Sequence, residues 1–352
     1  MRFSQIHKLY LSNFLTGMVF WYGIEKLFMS SIGINAVGVG ATTAILLAFN
    51  LIFDIPSGIL ADKWSRKGML IVSAVSLAIC SVILGLSTGL ATYIVGYLFY
   101  GVYVVSTSGT YQAIMYDSLH EEGRSSQYSK INGCAYALFL AGAGVANVAS
   151  GFIANSFSFS ATFYITVISC VLNAFLILSL KEPAFHKDEN KERVLKQLGK
   201  TIYMLVNIKL LRSLAIVMSA LAVVELFKAD FGQLYMLRYV TEPQIIGMLW
   251  AAYAFTWALG SLIAHRFRTK LTMLVLLSTL PLVCMSFIDN WFSLVLFMVQ
   301  AVAAAALFNQ IETRVQESTP SSVRASVLSV LSALGRAIAI PASFVLGWLF
   351  VR

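Results

Sequence analysis

Eleven apolar stretches dominate the chain, at roughly residues 9–30, 38–61, 69–90, 92–117, 129–154, 159–180, 210–237, 244–264, 271–288, 291–312 and 322–350. A bilayer's hydrocarbon core asks for about 20 apolar residues in a helix, and these stretches are of that length. The spacing predicts an all-α polytopic membrane protein of eleven spans. At 59% hydrophobic and 12% charged residues, with mean hydropathy +0.80, the composition excludes an ordinary soluble domain. The run that follows Arg2 and Lys8 is too long for a signal peptide's apolar core and has no small-residue cleavage site after it, so it reads as a retained first span.

Net charge is +9, which in a soluble chain would raise the question of nucleic acid. Its distribution answers otherwise. Twenty of the 25 Lys and Arg fall in one set of alternating loops: Arg2, Lys8, Lys63, Arg66, Lys67, Arg124, Lys130, eight between Lys181 and Arg212, then Arg266, Arg268, Lys270, Arg314 and Arg324. The opposite loops hold Arg238 and Arg352 alone, and Lys26, Lys228 and Arg336 lie inside spans. By the positive-inside rule the N-terminus is cytoplasmic. All four cysteines, Cys80, Cys134, Cys170 and Cys284, sit inside apolar runs, where buried small residues are the default reading over a disulfide or zinc site.

The densest charge of the first hundred residues lies in Pro56-Ser-Gly-Ile-Leu-Ala-Asp-Lys-Trp-Ser-Arg-Lys-Gly68, between the second and third spans. So short a connection makes those helices antiparallel neighbours and places Asp62, Lys63, Arg66 and Lys67 at one membrane face. Gly58 is expected to allow close backbone approach. The stretch resembles motif A of the major facilitator superfamily, G-x-L-A-D-[RK]-x-G-[RK]-[RK]. Gly58, Leu60, Ala61, Asp62, Lys63, Arg66 and Lys67 match, while Ser65 stands where the motif has Gly. The resemblance implies two six-helix bundles and secondary transport by alternating access. It also implies a cytoplasmic gate in which Asp62 faces the N-terminus of the eleventh span near Ser321 and Ser322 while Arg66 pairs with Asp117.

The longest polar segment divides the chain into an N-terminal bundle of six spans (1–181), a linker or interfacial helix (182–209) and a C-terminal bundle of five spans (210–352). Weak internal echoes support the division. Leu27-Phe-Met with Gly40 answers to Leu234-Tyr-Met with Gly247, Asp117 to Glu312, and Gly151-Phe-Ile to Gly347-Trp-Leu. The loop from Gly260 to Lys270 resembles a decayed motif A without its Asp. The superfamily ordinarily has twelve spans, so the twelfth is expected to be missing or to lie beyond this sequence.

Ionisable residues inside spans are costly and are candidates for function. Counting ~1.5 Å per residue from the cytoplasmic ends puts Glu225 and Arg336 at ~22 and ~21 Å, Glu25 and Lys228 at ~25 and ~27 Å, and Asp54 at only ~10 Å. Matched depth suggests the pairs Glu225–Arg336 and Glu25–Lys228. Sequence neighbours suggest Glu225–Lys228 and Glu25–Lys26 instead. Asp230 is placed in the outer interface or with this group. Tyr93, Tyr97, Tyr100, Thr107 and Tyr111 form a polar-aromatic stripe, with Tyr93 read as an interfacial belt residue. The resemblance adds that spans one, four, seven and ten line a central cavity, which here supplies Trp21, Tyr22, Glu25, Tyr97, Tyr100, Glu225, Lys228 and Gln300.

Two hallmarks of the superfamily's antiporters are absent. Tyr97 occupies the place of motif B's Arg, a turn before Gly101, and the Gly-rich fifth span, with Gly142, Gly144 and Gly151, lacks motif C's Pro. Asp54-Ile-Pro-Ser-Gly58 and Tyr116-Asp117-Ser-Leu are similar to drug-efflux-related and uncharacterised bacterial branches, so efflux stays open. No metal-ligand cluster, nucleophile elbow or phosphate loop appears, and His7, His120, His186 and His265 fall outside the membrane core. The expectation is a non-enzymatic, cofactor-free, monomeric transporter in the cell membrane, moving a small molecule with protons. The alternative is a non-transporting sensor or scaffold on the same fold.

Overall fold

A computed structural model describes residues 4–182, 207–267, 271–318 and 324–350. Among these residues every regular element is helical, and each of the eleven apolar runs carries helix. Eight helices are long and apolar enough to cross a membrane. The eleven expected runs are helical, and several of them are broken into shorter helices. The first run is α1 (Gln5–Gly17), a 3₁₀ turn (Tyr22–Ile24) and α2 (Glu25–Ser31). The second and third are α3 (Ala36–Lys63) and α4 (Arg66–Gly85). The fourth bends between α5 (Leu90–Thr107) and α6 (Thr110–Glu121) at Gly109, whose φ of 70° is the left-handed conformation that glycine adopts freely.

The fifth and sixth runs are α7 (Tyr128–Ser156) and α8 (Phe159–Leu178). The seventh is α9 (Lys209–Leu226), a π turn over Phe227–Phe231 and α10 (Gly232–Met236). The remaining runs are α11 (Pro243–Ile263), α12 (Leu271–Met285), α13 (Phe292–Glu317) and α14 (Arg324–Leu349). At 15 residues α12 is shorter than a typical span.

The chain divides into two compact units. One comprises Met1–Lys187, Thr241–Ala251 and Gly347–Arg352; the other comprises Asp188–Val240 and Ala252–Leu346. The expected linker, 182–209, falls almost wholly outside the described residues.

In the first unit α4 packs between α5 and α8, and α1 packs on α7 and α8. Small residues set the α1–α7 approach: a Cβ on Gly17 would collide with the carbonyl oxygen of Phe139, and one on Gly142 with that of Phe14. Lipid is as apolar as Leu, so helices in a membrane associate through such close packing and through buried polar contacts. Among the described residues, nothing beyond its own helix lies within 4 Å of where a Cβ on Gly58 would stand. Its neighbour Ser57 takes the buried face of α3 and donates to the Val105 carbonyl on α5 at 2.9 Å, which turns Gly58 away. The motif-bearing end of the unit is filled by Ile6, Leu9, Leu70, Ala74, Ile114, Met115, Leu119 and Ile177. In the second unit α12 packs on α13, and Met218, Leu221, Leu274, Leu307, Ile311 and Leu331 form its core.

Candidate functional site

The motif-bearing loop is held by reciprocal capping. Ser65 has φ −171°, an extended conformation open to any residue, and its Oγ accepts from the Gly68 N–H at 2.7 Å. Serine in place of the motif's Gly therefore supplies the N-cap of α4. Glu182 completes the cap: Oε2 accepts from Ser65 Oγ at 2.7 Å, Oε1 from Arg66 N at 2.9 Å and Oε2 from Lys67 N at 3.0 Å. A carboxylate against free N–H groups at a helix N-terminus is favoured by both hydrogen bonding and the helix dipole. Lys67 in turn reaches the last carbonyls of α8 and its exit, Leu178 at 2.7 Å and Leu180 at 2.9 Å.

Arg66 bridges two carboxylates. Nη1 donates to Asp117 Oδ2, while Nε and Nη2 reach Asp62 Oδ1 at 3.2 and 3.0 Å. The Arg66 and Asp117 side chains are 17% and 29% exposed and that of Asp62 is 64% exposed, so solvent screens the Asp62 limb most. The pairing of Arg66 with Asp117, expected from the motif, is present. Lys63 is exposed, and Ser321 and Ser322, the expected partners of Asp62, lie outside the described residues.

A second cluster forms where the first run breaks. Glu25 opens α2 directly after the 3₁₀ turn, and its Oε2 stands 3.0 Å from Lys26 Nζ, with the two side chains 10% and 1% exposed. Tyr93 donates to Glu25 Oε1 at 2.7 Å. This corrects the belt reading of Tyr93, which is fully buried: a buried carboxylate requires a donor, and Tyr93 supplies it. Tyr93, Tyr97, Tyr100 and Tyr103 contact one another in succession with centroids 5.2–5.6 Å apart. Tyr22 and Tyr100 share a hydrogen bond of 2.8 Å between their hydroxyls. Trp21, fully buried, stacks on Phe163 and donates from Nε1 to Ser81 at 3.2 Å.

A third polar group joins α1, α6 and α8. The Tyr111 hydroxyl meets Ser12 and Thr16, each at 2.8 Å, and Asn173 bonds both Ser12 and Thr16, at 2.7 and 3.0 Å. Sequence reasoning missed Ser12, Thr16 and Asn173. Ser12 and Thr16, four apart on one face of a spanning helix, were the available signal.

The second unit holds the fourth cluster, at the π turn. Lys228 is fully buried, donates to Gln300 Oε1, and stands 4.9 Å above the rings of both Tyr253 and Phe297. Tyr253 donates to Glu225 Oε2 at 3.3 Å. Asp230 lies half-buried in the same turn. Arg336 lies half-buried on α14. Of the local pairs, Glu25 stands with Lys26, and Glu225 and Lys228 flank the start of the π turn. Tyr253 and Phe297 went unsuspected, because nothing in an apolar run marks a ring that faces a cation.

The matches to known proteins agree with this architecture. Residues 9–350 match the family model described as Major Facilitator Superfamily. An uncharacterized transporter of Buchnera aphidicola subsp. Schizaphis graminum (strain Sg) is 27% identical over 172 residues, 49% of this chain and 41% of that relative. The match therefore spans well under half of that protein's length. Among solved structures, the nucleoside transporter NupG is similar with TM-score 0.81 at 16% identity, covering 98% of this chain and 91% of that one. The D-xylose-proton symporter is similar with TM-score 0.70 at 14% identity, covering 97% and 89%. At such identities these likenesses show the fold. With the family model matched across nearly the whole chain, the motif in its loop and the helical architecture on the page, this multi-pass membrane protein belongs to the Major Facilitator Superfamily.

Proposed function

We propose that the protein is a secondary active transporter that carries a small molecule across the membrane by alternating access, coupled to protons. The observation that carries this reading is the placement of buried ionisable residues at helix interruptions. Glu25 and Lys26 follow the break in the first run, and Lys228 sits in the π turn of the seventh. Charges at such depth are costly, and helix breaks and π turns concentrate at functional sites in membrane proteins. A scaffold gains nothing from either.

In this reading the Asp62–Arg66–Asp117 cluster is the cytoplasmic gate latch, formed in one state and released in the other. Glu225 is the coupling residue. Among the described residues its Oε1 is buried without a hydrogen-bond partner, and Lys228 follows it three residues later at the π turn. Any motion that changes the distance between the two would tie protonation to the side that is open.

Glu225→Gln keeps the shape and removes the titratable group. The variant is expected to lose solute accumulation driven by a pH gradient in proteoliposomes while retaining solute exchange and normal membrane abundance. Normal accumulation by the variant would remove Glu225 from the coupling role and turn attention to Glu25.

A further inference from the structure

At the π turn Lys228 and Gln300 carry more N–H groups than the one hydrogen bond between them uses. The Lys228 ammonium carries three N–H groups and uses one on Gln300 Oε1. Among the described residues it has no carboxylate within 4.0 Å, and it stands over the π faces of Tyr253 and Phe297. Gln300 is fully buried, and among the described residues its Nε2 has no hydrogen-bond partner. Oε1 and Nε2 are the two ends of one planar amide, so the ammonium that holds one stands beside the other. Two kinds of N–H donor, one of them cationic, thus lie side by side in a buried, aromatic-walled setting. Buried donors left unmatched are costly, and functional sites are where such a cost is retained.

We propose that Lys228 and Gln300 form the recognition site for a small organic anion, whose carboxylate spans the Lys228 ammonium and the Gln300 amide N–H. This deepens the transporter reading and rests on it. Two adjacent N–H donors match the two oxygens of a carboxylate, and the rings of Tyr253 and Phe297 exclude water from the pair. Charge balance supports an anion in particular. Glu225 accepts from Tyr253, the ring beneath Lys228, and Asp230 shares the π turn with Lys228. When Glu225 is ionised it offsets the lysine; when it is protonated the lysine's charge lacks that counterpart, and an anion restores the balance. Proton and carboxylate then enter together. An uncharged solute would satisfy the amide N–H and leave the ammonium uncompensated.

The test uses the full-length protein in lipid nanodiscs and a panel of small monocarboxylates and dicarboxylates, each paired with its uncharged amide, and the corresponding phosphate esters. Binding is read by calorimetry and by the ligand-induced rise in melting temperature. At least one carboxylate is expected to bind, with its amide about tenfold weaker or worse. Lys228→Met is expected to abolish that preference and Gln300→Leu to weaken the carboxylate about tenfold. Each variant's ligand-free melting reports its folding, so Gln300→Leu carries the test if Lys228→Met does not fold.

Binding of no carboxylate, equal binding of carboxylates and amides, or a preference for phosphate esters would overturn the proposal, as would unchanged binding in the folded variants. The outcomes separate this site from transport itself. Gradient-driven exchange of uncharged solutes alone would remove the anion site and leave the transporter, whereas carboxylate binding by a protein that exchanges nothing would do the reverse.

Discussion

Ser65 is the one position where the loop between α3 and α4 departs from the pattern it resembles, and the structure makes that departure a gain. Its hydroxyl accepts from Gly68 N and donates to Glu182, so the side chain ties the start of α4 to the exit of α8. Ser65→Ala should lower stability by about 1 kcal/mol, and Ser65→Gly, which restores the motif, by less. Melting of the purified variants checks this, and identical melting of wild type and Ser65→Ala would contradict the cap. The pairing of Arg66 with Asp117 was legible because both residues belong to a recognisable motif or span end. Glu182 was not, because it lies 117 positions from Ser65 and no local pattern announces a cap supplied from so far along the chain. Tyr93 was misread for a related reason. Nearness to a run's end suggested the interface, whereas the buried carboxylate of Glu25 draws its hydroxyl inward.

Helices were legible as apolar runs, but their interruptions were not. Hydropathy does not distinguish a straight span from α1 and α2 with a 3₁₀ turn between them, or from α9 and α10 joined by a π turn. Each break places a charge or a ring where a continuous helix would not. The fifth span is rich in glycine, and on α7 the glycines separate by role. Gly142 meets the backbone of α1, while a Cβ on Gly144 would have no neighbour within 4 Å. Gly142→Val should force α1 and α7 apart and sharply reduce membrane abundance and melting temperature, and Gly144→Val should leave both near wild type. Equal tolerance at the two positions would contradict the described helix crossing. The cost belongs to overpacking, typically about 1–3 kcal/mol and more where backbone must move.

At the scale of the whole molecule, membership of the family was legible in one loop and one pattern of spans. What that membership does not specify is the cargo, because the residues facing the buried clusters come from runs whose composition is set mostly by lipid. Tyr253, Phe297 and Gln300 acquire meaning only when the π turn brings Lys228 against them. The central claim is that these buried charges serve transport. Counterflow in proteoliposomes tests it most directly: purified protein, liposomes preloaded with each member of a solute panel, and entry of the labelled solute measured against protein-free vesicles. The account predicts saturable entry that is accelerated by the same solute inside and, for that solute, accumulation under an imposed pH gradient. Entry no faster than in protein-free vesicles for every solute, by protein that still melts cooperatively, would contradict it.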